Sequence, residues 1–230
     1  MLSALLISMM SLSPAGSNTT GAMPQPLPGQ VWAGHHVVFG KRKIPVRGRV
    51  KTRMDTFVLA RVVAEGDKLR VEEQACAVDI APVAGISVSM DPSHIPPAKI
   101  TLTRDSSEPG WVGSAENGWG STDIDGDGHP GLTITVDATI CSGKLYVSQQ
   151  ASTVARLHRA GAQISGATHV RVEQKILGAE GACLSAFARS SREVVSGPRS
   201  YVPVPEQTTC ASLLRKPWPV RATRELPKGR

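Results

Sequence analysis

Thr56-Phe57-Val58-Leu59-Ala60-Arg61-Val62-Val63-Ala64, then Glu65-Gly66-Asp67, then Lys68-Leu69-Arg70-Val71-Glu72-Glu73-Gln74-Ala75 reads as a strand, a compact turn and a second strand. Two valine-rich runs separated by a glycine between acids carry the signature of an antiparallel hairpin. An echo lies 76 residues downstream, where Lys144-Leu145-Tyr146-Val147-Ser148-Gln149-Gln150-Ala151 matches the second strand at five of eight positions. At the same offset the first strand falls on residues 132–140. Residues 170–174 offer a fainter third copy. The echo points to a duplicated hairpin, although valine-rich hairpins also converge on similar sequences.

The pattern continues on both sides. Further strands are expected at 37–39, 44–54, 85–90, 100–104, 132–138, 145–149, 170–176 and 183–187. Residues 153–160 fit two helical turns, and no longer stretch carries an apolar period of 3.6. Pro203 and Pro205 punctuate the tail. With 22 Gly and 17 Pro among 230 residues, the composition favours strands and turns. The expectation is an all-β chain with a single antiparallel domain, a β-barrel or a β-sandwich, over residues 29–219. Residues 23–28 would form a proline-rich linker, and 220–230 a basic tail.

Residues 1–22 carry no charged side chain, and residues 2–12 have the length of a signal-peptide apolar core, too short to span a bilayer. Small residues place candidate cleavage after Ala15 or Ala22, although a basic segment is missing ahead of the apolar stretch. The chain is expected to be exported to the periplasm, envelope or exterior. Cys76, Cys141, Cys183 and Cys210 are widely spaced, with no Cys-x-x-Cys for zinc or redox work, so two disulfides are expected. Three pairings are open. Cys183 with Cys210 would staple the C-terminal segment down, and Cys76 with Cys141 would then join the two halves.

Asp123-Ile124-Asp125-Gly126-Asp127-Gly128-His129-Pro130-Gly131 is an acidic loop in a chain of formal net charge +7. Carboxylates at alternate positions ahead of a glycine can curl around a hard cation. The segment resembles the Asp-x-Asp-x-Asp-Gly start of EF-hand, dockerin and thrombospondin-type calcium loops, over about nine residues. The expected occupant is a structural Ca²⁺ held by Asp123, Asp125 and Asp127 with the His129 carbonyl, and either Asp137 or Asn117 is expected to complete the shell. The twelfth position, where an EF-hand has a bidentate Glu, is Ile134. Without metal, the same residues make an Asp/Gly turn between strands.

From Lys43 to Arg53 every odd position except Pro45 is basic. On a strand Lys43, Arg47, Arg49, Lys51 and Arg53 would therefore share one face. The stripe is either the wet face of an amphipathic strand or a docking surface for an anionic polymer or envelope surface. Trp111 and Trp119 flank the approach to the Asp loop and would either stack on a glycan or pin the loop to the core. His35 and His36 are adjacent on a strand, so their rings should face opposite sides, and no histidine pair has metal-ligand spacing.

Nucleophile-elbow, phosphate-loop and dinucleotide motifs are absent. Three Phe, two Tyr and four Trp supply few stacking platforms for single-stranded nucleic acid. The expected function is non-catalytic binding of an anionic or glycan-like ligand outside the cytoplasm. A small secreted hydrolase using carboxylates around the Asp loop is the rival from another class, and a purely structural envelope protein is the third reading.

Overall fold

The hairpin quoted above is present: β2 (Gly48–Glu65) pairs antiparallel with β3 (Lys68–Ile80), from Glu65 opposite Lys68 to Met54 opposite Ile80. The computed structural model describes residues 29–223 apart from 45–47, 66–67, 107–108, 140 and 182. The expected leader, the proline linker, Arg47 and the turn residues Gly66 and Asp67 lie outside the described residues. The other strands are β1 (Val31–Ile44), β4 (Ile86–Ser89), β5 (Ala98–Arg104), β6 (Trp111–Trp119), β7 (Leu132–Ala138), β8 (Gly143–Ala160), β9 (Gln163–Glu180) and β10 (Ser191–Val204). Two short helices, α1 (Leu184–Phe187) and α2 (Cys210–Leu214), complete the order.

All ten strands belong to one antiparallel sheet, so the chain is all-β. Eight of them close on themselves in the order β8-β6-β5-β3-β2-β1-β10-β9, with β9 returning to pair along the whole length of β8. Closure removes the free edges that an open sheet would expose. The remaining two strands extend the wall. β6 runs along β8 until Trp119 stands opposite Gln149, and β7 then takes over the same edge with Leu132 opposite Val147. β4 pairs with the outer side of β7.

Period-two burial explains why these segments are strands. On β8, Ala151, Ala155 and Leu157 are buried while Val154, Arg156 and His158 are exposed. That alternation corrects the helical reading of 153–160: both edges of this segment are paired, to β6 and β9, and pairing overrides a short local pattern. At one end of the ring Trp32, Val62, Leu102, Trp111, Leu157 and Tyr201 pack into the principal core cluster. Each fully buried side chain of this size contributes about 1.5–3 kcal/mol of transfer free energy.

Several boundaries differ from the sequence reading. Residues 48–54 and 56–64, expected in two separate strands, are parts of one long β2, while Ile44 ends β1. Residues 183–187, expected as a strand, contain the single helical turn α1, and β10 covers a stretch that carried no strand expectation. Pro203 is tolerated there because β9 pairing with β10 ends at Tyr201, which leaves no ladder bond on that side for its missing N–H. Both members of the sequence echo are antiparallel hairpins, β2–β3 and β7–β8. Glu73 and its echo partner Gln149 both face the interior of the ring.

The disulfides are Cys76–Cys210 and Cys141–Cys183. The Cys183–Cys210 and Cys76–Cys141 bonds sketched from the sequence do not form. Register shifts between Phe57 and Val58 leave Cys76 as an extra residue on β3. Cys76 follows the inward Ala75 and so faces out of the ring toward α2, beside Trp218 and Val220. Trp218 Nε1 donates to Gly34 O at 3.1 Å and Val220 is 6% exposed, while residues 224–230 of the expected basic tail lie outside the described residues. Among the described residues no helix is long and apolar enough to cross a membrane.

Candidate functional site

Inside the ring, between its mouth and the core cluster, lies a cavity of ≈ 390 Å³. That volume is at the lower end of the range for small-molecule sites. Residues of all ten strands line it, and Val38, Met54, Val78, Ile80, Val172 and Val195 help to make the walls mainly apolar. At the rim, the half-exposed Arg42 donates through Nε to Glu193 Oε1 at 2.6 Å and through Nη2 to Gln174 Oε1 at 2.9 Å. At the inner end sits a buried polar cluster of His36, Glu73, Arg199 and Tyr201.

Arg199 is 2% exposed, and its Nη2 donates to both Glu73 carboxylate oxygens at 3.0 Å. The Tyr201 hydroxyl gives its single proton to Glu73 Oε1. The phenolic oxygen is then left to accept, with His36 Nε2 at 3.1 Å, and Arg199 Nη2 lies 3.1 Å from that nitrogen and 3.3 Å from Nδ1. Burial, reinforced by the charge of Arg199 and by His35, holds the His36 imidazole well below its ordinary value. Burial likewise pushes Tyr201 well above the usual phenol range, with Glu73 adding to it against the pull of Arg199. Both groups stay neutral, and the Glu73–Arg199 pair balances its own charge.

Two of the residues that line this cavity carry buried, unmatched polar atoms. Arg199 Nε and Nη1 and Asn117 Oδ1 are buried with no hydrogen-bond partner among the described residues. Buried polar atoms are normally paired, so these mark places where a visiting molecule or solvent completes the bonding.

The sequence reading did not single out this cluster. Glu73 had one legible signal, an acid on the inward face between Val71 and Ala75, where period two calls for an apolar residue. Arg199 and Tyr201 had none, because they lie in the proline-punctuated stretch. His36 and His35 do face opposite sides. His35 points outward, stacks on Phe57 at 4.6 Å, approaches Asp55 Oδ1 at 3.0 Å and accepts from Ala222 N at 2.8 Å.

The basic stripe occupies the outer face of the β1–β2 hairpin. Lys51 stands opposite Lys41 and Arg49 opposite Lys43 in register, and Arg49, Lys51 and Lys41 are exposed. The side chain of Lys43 and all of Arg47 lie outside the described residues. Arg53 is an exception to the stripe, because its Nε and Nη2 fork onto Asp55 at 2.6 and 2.8 Å. Trp111 and Trp119 are each 7% exposed. Trp111 belongs to the core, while Trp119 packs on Leu132 and Ile134 and donates to Val147 O at 2.8 Å. Both pin strands to the interior, and Trp119 also lines the cavity.

One carboxylate oxygen from each of Asp123, Asp125 and Asp127 lies within 4.8 Å of the others, close enough to hold a metal ion. The loop also ties itself. Asp123 accepts from Gly126 N at 2.7 Å and Gly128 N at 2.9 Å, and these backbone donors, Gly128 foremost, hold its carboxyl below the usual range. Asp125 Oδ2 accepts from Thr133 N at 2.8 Å, and Asp127 Oδ2 from Thr133 Oγ1 at 2.7 Å, so two aspartates clamp the first turn of β7. Gly131 closes the loop with a φ of 83, and a Cβ there would stand 2.2 Å from Val147 O. Asp137 does not join this cluster, since it accepts from Ser142 Oγ at 3.0 Å toward the other end of β7. Asn117 lines the cavity instead, and the His129 ring stacks on Tyr146 with 4.1 Å between centroids. The chain matches no protein-family model and no curated protein sequence.

Proposed function

We propose that this is a non-catalytic binding protein of the exported class, which encloses a small, largely apolar ligand inside its ring. The observation that carries the reading is the cavity itself, apolar along its walls and ending on a buried arginine with unmatched donors. A structural protein would be stabilised by filling that space, because packing a void gains dispersion contacts. The test is uptake of the neutral fluorophore N-phenyl-1-naphthylamine, whose emission rises in apolar surroundings. Ala151→Trp, which places an indole on the inner wall, should abolish uptake while leaving the far-UV spectrum unchanged. Uptake unaffected by that substitution would place the dye elsewhere and reject the reading.

A second reading keeps the outer face for an anionic polymer, acidic glycan or envelope surface. Lys41 directly opposite Lys51 favours it, since like charges in register destabilise a strand pair. Retention on heparin should fall with salt and be lost in Arg49→Ser/Lys51→Ser. For the acidic loop, Ca²⁺ is the cation that oxygen ligands of this kind suit, in a structural role. The two disulfides accord with an oxidising compartment.

A further inference from the structure

Resting on the reading of the cavity as a ligand site, the free donors at its inner end restrict the chemistry of what enters. A guanidinium carries five N–H bonds in a fixed plane. It grips a carboxylate through one of two forks, Nε with Nη2 or Nη1 with Nη2, and both forks require Nη2. In Arg199 Nη2 is already committed to Glu73, at 3.0 Å to each oxygen. The remaining donors, on Nε and Nη1, point from opposite edges of the plane. Nε offers one N–H and Nη1 two, but with Nη2 taken no fork is left to clasp a second carboxylate.

Charge leads to the same place. Arg199 and Glu73 have side-chain exposures of 2% and 5% and neutralise each other. A ligand carboxylate beside them would put two anions against one cation out of reach of water, which is costly. The other groups facing Arg199 are His36 and Tyr201, and both are neutral in the arrangement described above. Asn117, on β6 across the ring from β10, presents an unmatched Oδ1 to the same cavity and calls for a donor.

We infer that the ligand is an uncharged amphiphile, with an apolar chain or ring filling the valine-lined space and a head that offers an oxygen acceptor to Arg199 and an N–H or O–H to Asn117. Primary and secondary amides and hydroxylated apolar molecules belong to this class, and fatty acids do not. The Arg42–Glu193 pair closes the rim over the other end of the bound molecule.

Decanamide and decanoate share one chain and differ in head-group charge, so displacement of N-phenyl-1-naphthylamine by each, above neutral pH, tests the inference. Decanamide should compete at least about tenfold more tightly than decanoate. Asn117→Leu should weaken decanamide by about tenfold more than it weakens the fluorophore, which offers Asn117 no amide head. Glu73→Leu/Arg199→Leu, which exchanges the buried pair for apolar side chains without orphaning either charge, should bind the fluorophore and lose the preference for the amide. Equal or tighter competition by decanoate overturns the neutral-head inference and leaves the cavity reading standing. Uptake of the fluorophore with displacement by neither compound also overturns it. Absence of uptake in the native protein overturns the cavity reading and this inference together.

Discussion

Glu73 and Arg199 meet across the interior of the ring, on β3 and β10, although β2 and β1 separate their strands; Nη2 lies 3.0 Å from both carboxylate oxygens. The contact holds across the enclosed space, not along a ladder, so it depends on ring closure. Arg199→Met should leave Glu73 buried without its cation and cost about 3–5 kcal/mol in urea unfolding. The double replacement Glu73→Leu/Arg199→Leu should cost much less. A single variant as stable as its parent would mean that the pair does not sit in a low-dielectric interior.

The two neighbouring histidines give stability a pH dependence. Both folded values lie below the ordinary 6.5, for His36 through burial, then Arg199 and His35, and for His35 through burial against the pull of Asp55. The unfolded chain therefore takes up protons first as pH falls. Stability is complete above 6.5 and declines as pH drops from there toward the depressed folded values. For His36 the steepest slope is about 1.4 kcal/mol per pH unit. Melting curves between neutral pH and pH 5 should shift downward, and His36→Gln should flatten the trend. A midpoint independent of pH in that window would contradict the neutral-imidazole arrangement.

Removal of the Cys76–Cys210 bridge should destabilise the fold by about 2–5 kcal/mol. The effect should be local first. Trp218 is held against Ala33 and Cys76, so Cys210→Ser should expose its indole, red-shift its emission and make the segment after Val204 the earliest proteolytic site. Emission unchanged by the substitution would mean that Trp218 and Val220 dock without the bridge.

In the acidic loop, Asp123→Ala strips the acceptor from two backbone amides and should lower the thermal midpoint even in chelator. Calcium should raise the midpoint of the parent by mass action, and Asp125→Asn should remove that rise. A calorimetric titration without heat would leave the loop as a hydrogen-bonded closure between β6 and β7.

The fold class was legible because valine-rich, turn-punctuated runs are a local signal, and β2, β3 and β7 carry it strongly. The second half of β8 was not, because Thr153-Val154-Ala155-Arg156 owes its extended form to β6 and β9 on its two edges. β10 hid behind Pro198 and Pro203. The acidic loop was visible in full as a cluster, whereas Asp137 stood close in sequence and is taken up by Ser142. The polar end of the cavity was the least visible, since His36, Glu73, Arg199 and Tyr201 come from three strands up to 165 residues apart. Nothing local announces a long-range hydrogen bond.

The bulge at Cys76 acts on the strand as a frameshift acts on a message. Before it, Glu73 and Ala75 look into the ring; beyond it, Val78 and Ile80 do. A saturation scan along β3 should therefore show tolerance and intolerance alternating, then exchanging parity at residue 76. Deleting Cys76 would restore an unbroken beat with Glu73, Ala75, Val78 and Ile80 still inward, so the lesion would cost the bridge to Cys210 and spare the inner face.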